Sequence, residues 1–219
     1  MYKLIIFDLD GTLLDTIEDL ANSVNHALIY YNFPTHKTED YRFFIGNGVN
    51  KLLERALPEN KRNTDNVSML KIEFIKHYYS HSDTFTKPYN GIVDLLFKLQ
   101  EQGFKLAVAS NKIHQATVDL SARFFAEIHF IDVFGQREGF LAKPNPSILN
   151  EIVTNADVDK SEVLYVGDSG IDVATAYNAG VNFVGVLWGF RPQSELEEVG
   201  AKVFVNNSEE LFKIIISTN

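Results

Sequence analysis

The chain has 219 residues, 45% hydrophobic and 22% charged, enough for one generous domain or a core with an insertion, and it matches neither a disordered nor a fibrous protein. A formal charge of −9 opposes binding to nucleic acid or to an anionic membrane surface, both polyanions, and would hinder capture of a phosphate ester unless a divalent cation and a few basic groups assist. With no cysteine, disulfides, thiolate nucleophiles and cysteine-ligated metal centres are excluded.

The N-terminus carries four apolar residues, Leu4 to Phe7, before Asp8, too few for a signal peptide, and nowhere does an apolar run approach the ~18 residues of a membrane span. A cytoplasmic location is the expectation. Leu4–Leu9 reads as a buried strand delivering the polar turn Asp8-Leu9-Asp10-Gly11-Thr12. Residues 16–87 then break into helical stripes: Ile17, Leu20, Ala21, Val24 and Leu28; Leu52, Leu53, Ala56 and Leu57; Met69, Ile72, Ile75 and Tyr79. No convincing strand intervenes, which predicts an all-helical domain over 16–87 inserted into a core formed by 1–15 and 88–219.

From Pro88 and Gly91 onward the pattern alternates. Ile92, Leu95, Leu96 and Leu99 predict a helix stopped by Gly103, followed by the strand Leu106–Ala109; Ile148, Leu149, Ile152 and Val153 predict another helix before the strand Val163–Val166. Val173, Ala174, Ala176 and Tyr177 mark a helix ended by Gly180, then come the strand Phe183–Leu187 and a last helix near Leu211–Ile216. Helix and strand in alternation imply an α/β fold, a Rossmann-like parallel sheet covered on both faces.

Asp8 and Asp10 lie two apart, so both can project from the carboxyl end of the first strand, the edge where ligands bind in such sheets. Carboxylates so close repel unless a cation intervenes. Gly11 would let the backbone approach a phosphoryl group, and the Thr12 hydroxyl could fix the turn. A second acidic cluster, Gly167-Asp168-Ser169-Gly170-Ile171-Asp172, follows another apolar strand; Asp168 and Asp172 could complete an oxygen-rich cation site suited to Mg²⁺ rather than zinc. Ser110 and Asn111 end the second core strand, and Lys143 in Ala142-Lys143-Pro144-Asn145-Pro146 supplies a compact positive charge; these are the donors for phosphoryl oxygens.

In order, Asp8-Leu9-Asp10-Gly11-Thr12, Ser110, Lys143 and Gly167-Asp168 with Asp172 resemble the four motifs of the haloacid dehalogenase superfamily, end to end along the chain. Within it the chain resembles the phosphoglycolate phosphatases and their close relatives, through Ile45-Gly46-Asn47-Gly48-Val49, Ser110-Asn111-Lys112 and Trp188-Gly189-Phe190; Asn90 departs, since those relatives usually have proline there. The resemblance implies a helical cap over 16–87 and a Mg²⁺-dependent phosphatase acting on a small phosphate ester, 2-phosphoglycolate foremost. Asp8 would be the nucleophile and Asp10 the acid and base. Asp8, the Asp10 carbonyl and Asp168 would hold Mg²⁺, with Asp172 in an outer or partial role, and Gly46 and Asn47 would face the substrate. A monomer or homodimer is expected. A phosphatase or mutase for a sugar phosphate, nucleotide or pyrophosphate shares these motifs, and a catalytically silent binding module could share the fold. A dehalogenase fits less well, because halide needs no proton from Asp10.

Overall fold

The structure, a computed structural model, describes residues 1–217. Eight strands are present in it: β1 (Leu4–Phe7), β2 (Leu14–Asp15), β3 (Lys87–Pro88), β4 (Lys105–Ile113), β5 (Phe130–Gln136), β6 (Val163–Gly167), β7 (Asn182–Val186) and β8 (Phe204–Val205). The helices are α1 (Ile17–Tyr30), α2 (Val49–Ala56), α3 (Thr64–His81), α4 (Ile92–Glu101), α5 (His114–Phe124), α6 (Ser147–Ala156), α7 (Gly170–Ala179), α8 (Gln193–Glu198) and α9 (Ser208–Ser217).

Six strands form one sheet in the order β5-β4-β1-β6-β7-β8, parallel at every pairing. β1 sits between β4 and β6 because its four residues are apolar and wholly buried, the pattern of a strand covered on both faces. Side chains alternate across it. Ile5 and Phe7 pack with α4, α5 and α9 through Leu95, Leu96, Leu120 and Leu211, whereas Leu4 and Ile6 pack with α6 and α7 through Leu149, Ile152, Ala176 and Ala179. The two clusters make the predicted covered sheet. β5 escapes sequence recognition because Phe130-Ile131-Asp132-Val133-Phe134-Gly135-Gln136 lies at the edge, mostly half-buried, and mixes polar with apolar residues.

Between β2 and β3 the described residues are helical or irregular, with short 3₁₀ turns at Thr38–Phe43 and Glu59–Lys61 beside α1, α2 and α3. This segment has its own apolar cluster, including Val24, Leu28, Tyr41, Leu53 and Phe74. β2 and β3 pair antiparallel where the chain leaves and rejoins the core, Leu14 opposite Pro88 and Asp15 opposite Lys87. Just beyond, the buried Asp19 carboxylate accepts from the N–H groups of Phe85 and Thr86 and the Thr86 hydroxyl, fastening the segment's two ends. The α3 stripe differs from the expected one. Leu70, Phe74 and Tyr78, four residues apart, are buried, whereas Ile72 and Tyr79 are exposed. Both stripes are apolar at helical spacing; packing against α1 selects the one that faces inward. No helix among the described residues is long and apolar enough to cross a membrane.

Candidate active site

β1 ends at Phe7 and delivers Asp8 and Asp10 to the carboxyl edge of the sheet; β4 delivers Ser110, Asn111 and Lys112; β6 delivers Asp168. Asp8, Asp10, Ser110, Asn111, Lys143, Asp168 and Gly46 all line one pocket, whose far wall comes from the helical segment through residues such as Leu20, Val49, Leu52 and Phe74. β4 runs on past Ala109 to Ile113, with a register irregularity over these last residues, so Ser110 and Asn111 lie within its carboxyl-terminal part.

Lys143 is buried, and its ammonium meets Asp8 Oδ1 at 2.9 Å, Asp172 Oδ1 at 2.8 Å, the Tyr165 hydroxyl at 2.8 Å and the Ala109 carbonyl at 3.0 Å. Burial alone would depress its pKa, but Asp172 and Asp8 more than reverse that and raise it. Asp172 has every oxygen engaged: Oδ1 accepts from Lys143 and Tyr165, and Oδ2 from the Ser169 hydroxyl and N–H, closing a capping box at the start of α7. Although burial opposes ionisation, Lys143 and these donors hold its pKa below the ordinary value.

Asp8 and Asp168 are in the opposite condition. Burial pushes Asp8 up to about 7, with Lys143 pulling down and Asp172 and Asp10 pushing up. Burial, then Asp172 and Asp8, push Asp168 well above the carboxylate range, against one N–H bond from Phe190 at 2.7 Å. The contact from Lys143 reaches Asp8 Oδ1 off the direction of a hydrogen bond, leaving that buried oxygen without one. One oxygen from each of Asp8, Asp168 and Asp172 lies within 4.8 Å of the others. Three carboxylates against one ammonium, with an orphaned buried oxygen and an all-oxygen donor set, fit a hard divalent cation.

The Asp168 carboxylate is wedged between two glycines. A Cβ on Gly11 would come within 2.3 Å of its Oδ2, at a backbone φ of +86°, and one on Gly189 within 2.3 Å of its Cβ. Gly11 is therefore required by the neighbouring aspartate as well as by its own left-handed backbone. Gly11 and Thr12 do not line the pocket. The Thr12 hydroxyl, expected to fix the turn, is buried with no hydrogen-bond partner among the described residues; the Thr12 carbonyl accepts from Trp188 Nε1 at 3.0 Å. Thr16 supplies the hydroxyl expected of Thr12, donating to Asp10 Oδ1 at 2.7 Å.

Asn111 joins three segments: its Oδ1 accepts from the Lys143 N–H at 2.8 Å, and its Nδ2 donates to the carbonyls of Lys143 at 3.1 Å and Gly46 at 2.9 Å. Asn47, expected to face a substrate, turns its Oδ1 to Arg55 at 2.7 Å and lies outside the pocket lining. Lys112 was not singled out from the sequence, yet it is buried and holds Asp10 Oδ1 at 2.9 Å and Oδ2 at 3.2 Å. Arg191 was also missed; it lines the pocket and donates to the Ile45 carbonyl at 2.8 Å. Lys112 was legible only as a member of Ser110-Asn111-Lys112, and Arg191 lies one residue beyond Trp188-Gly189-Phe190.

The geometry has counterparts in known proteins. A family model described as haloacid dehalogenase-like hydrolase matches residues 5–186. A phosphoglycolate phosphatase of Agrobacterium fabrum is 33% identical over 224 residues, covering 98% of this chain and 94% of its own, and one of Mannheimia succiniciproducens is 30% identical, covering 98% of both. A crystal structure from Lactobacillus delbrueckii subsp. bulgaricus, provisionally assigned the same activity, superposes with a TM-score of 0.93 at 33% identity over 98% of each chain. With a matched family model spanning most of the sheet and every strand-end carboxylate of the pocket, the chain belongs to the haloacid dehalogenase-like hydrolases and is one of their phosphatases.

Proposed function

We propose that the protein is a Mg²⁺-dependent phosphate monoester hydrolase of the cytoplasm, that its substrate is a small phosphorylated metabolite, 2-phosphoglycolate first, and that Asp8 is its nucleophile. The observation that carries this is the position of Asp8: buried at the pocket floor, 2.9 Å from Lys143, in a carboxylate cluster that needs a cation. The relatives named phosphoglycolate phosphatase support the choice of ester.

Asp8 attacks phosphorus; the bond to the ester oxygen breaks, and that oxygen takes a proton from Asp10, leaving an aspartyl-phosphate. Water then attacks this phosphorus and gives a proton back to Asp10, releasing inorganic phosphate and restoring Asp8. Asp8, the Asp10 carbonyl and Asp168 would hold Mg²⁺, whose positive charge would screen the carboxylate from the incoming phosphate and offset charge at the phosphoryl oxygens. Lys143 and Ser110 hold those oxygens, and Asp172 and Tyr165 hold Lys143 rather than the substrate. The helical segment over 16–87 serves as a cap that excludes water, with Gly46 presented to the pocket.

Initial rates on 2-phosphoglycolate, sugar phosphates, nucleotides and pyrophosphate, each with Mg²⁺ and with EDTA, test the proposal. It expects a clear preference for 2-phosphoglycolate, abolished by EDTA. Preference for another ester would move the substrate and keep the chemistry, whereas turnover indifferent to EDTA or to Asp8→Asn would overturn the mechanism.

A further inference from the structure

Lys143 sits among Asp8, Asp172, Tyr165 and the Ala109 carbonyl, and the phosphatase reading commits it to the transferred phosphoryl group. Lys112, the other lysine of the pocket, is different. It is buried, and its hydrogen bonds run to the two oxygens of one carboxylate, Asp10. The ring of Tyr78, from α3, lies 4.9 Å from the same nitrogen. Tyr78 is buried, lines the pocket, and its O–H donates to no acceptor among the described residues. Burial pushes its pKa up to about 12, with Lys112 pulling the other way, so the group is a donor at neutral pH. A buried ammonium and a buried unspent hydroxyl, side by side in a pocket walled by Leu20 and Phe74, ask for an anionic acceptor.

Their place relative to the chemistry says which part of the substrate brings it. If Asp10 serves the ester oxygen, as the phosphatase reading has it, then Lys112, 2.9 Å from Asp10, stands beside the leaving group and not beside the transferred phosphoryl group. We infer that Lys112 and Tyr78 form an anion subsite that selects phosphate esters whose leaving group carries a carboxylate one carbon from the ester oxygen. A short hydroxy acid fits this subsite. An uncharged alcohol of equal length leaves the ammonium to Asp10 and the Tyr78 side chain and gives the Tyr78 O–H no anionic acceptor. Because Lys112 comes from the sheet and Tyr78 from the helical segment, the carboxylate also draws the two walls of the pocket together.

The test compares 2-phosphoglycolate with 2-hydroxyethyl phosphate, a near-isostere with a hydroxyl in place of the carboxylate, in the wild type, Lys112→Met and Tyr78→Phe, each checked by thermal melting. Hydrogen bonds to charged groups suggest a wild-type kcat/KM ratio on the order of 10 to 100 in favour of the carboxylate. Tyr78→Phe, which keeps the Lys112–Asp10 pair, is expected to cut that ratio several-fold, and Lys112→Met to bring it near one, with Lys112→Arg restoring part of it. A merely structural role would depress both esters equally and leave the ratio where it was; that result in both variants refutes the subsite. A wild type that hydrolyses both esters equally well, with Mg²⁺ and Asp8 still required, refutes the subsite and leaves the phosphatase standing. Release of phosphate from neither ester by the wild type refutes the subsite and the choice of 2-phosphoglycolate together, and turnover of another ester of the panel would then keep the chemistry.

Discussion

On the sheet side of the pocket, Asp8, Ser110 and Asp168 stand at strand ends whose backbones are fixed by neighbours on both sides, with Lys143 on the loop that leads into α6; on the opposite side, Leu20, Val49, Leu52 and Phe74 stand on helices joined to the core by two short strands. The sheet side holds charges that oppose each other, with Asp8 and Asp168 both pushed toward protonation by burial and by their neighbours. In the helical segment the buried Asp19 instead takes several donors from Phe85 and Thr86 and needs nothing further. A rigid frame can sustain an unsatisfied cluster until a ligand arrives. A helical wall supplies shape and exclusion of water, and its buried Asp19 ties the chain.

Substitutions on the two sides should therefore fail differently. Asp8→Asn removes the nucleophile and is expected to lower kcat by roughly 10⁴-fold or more, by analogy with other deleted nucleophiles, while changing the melting temperature little. Residual turnover within tenfold of wild type would refute its role. Asp172→Ala comes next: it strips Lys143 of its closest carboxylate, and breaking a buried pair from one side costs about 3–5 kcal/mol. Both activity and denaturant midpoint should drop, and a stability loss without a rate loss would separate Lys143 from the reaction. On the helical side, Leu53→Ala, at a wholly buried position, should cost about 2–5 kcal/mol through the cavity it leaves, with kcat changed by a few-fold at most. A kcat loss approaching that of Asp8→Asn would erase the contrast between the walls.

The sequence discloses the sheet side far better than the helical one. β1 and β6 are unbroken apolar runs that end in aspartates, and two apolar faces leave no other place for them than the middle of a sheet. Asp8, Asp10, Ser110 and Asp168 are legible because each follows such a run, and Lys143 because it stands just before Pro144 and Pro146. Tyr78 and Lys112 are not. α3 carries two apolar stripes, and the choice between Leu70-Phe74-Tyr78 and Met69-Ile72-Ile75-Tyr79 is made by α1, remote in sequence. Lys112 is 102 residues from Asp10, and nothing in its own neighbourhood says that it is buried. β5 is hidden by its edge position and β8 by its two-residue length. The Gly11 requirement was visible, but its cause, the approach of Asp168, exists only once β1 and β6 pair.

The smallest expected effect concerns the unsatisfied cluster itself. Asp8, at about 7 in the folded chain, and Asp168, also raised, bind protons in the native state over a range where an unfolded aspartate near 3.8 has lost them. Stability from these groups is present below about pH 4 and is lost as pH rises through their folded values, because the native state then carries the repulsion that unfolding relieves. A divalent cation reverses this by taking the place of the protons. Mg²⁺ at a hundred times its dissociation constant would add about 2.7 kcal/mol, and for a chain of this size each kcal/mol moves the melting temperature by about 2–4 °C. Melting curves at pH 8 should thus rise by roughly 5–10 °C with Mg²⁺, and at pH 5, where protons compete for Asp8 and Asp168, by much less. In Leu53→Ala the Mg²⁺ increment should persist in full, since the helical wall holds none of the carboxylates, whereas in Asp8→Asn it should shrink. An increment independent of pH, or one unchanged in Asp8→Asn, would place the bound cation somewhere other than on this triad.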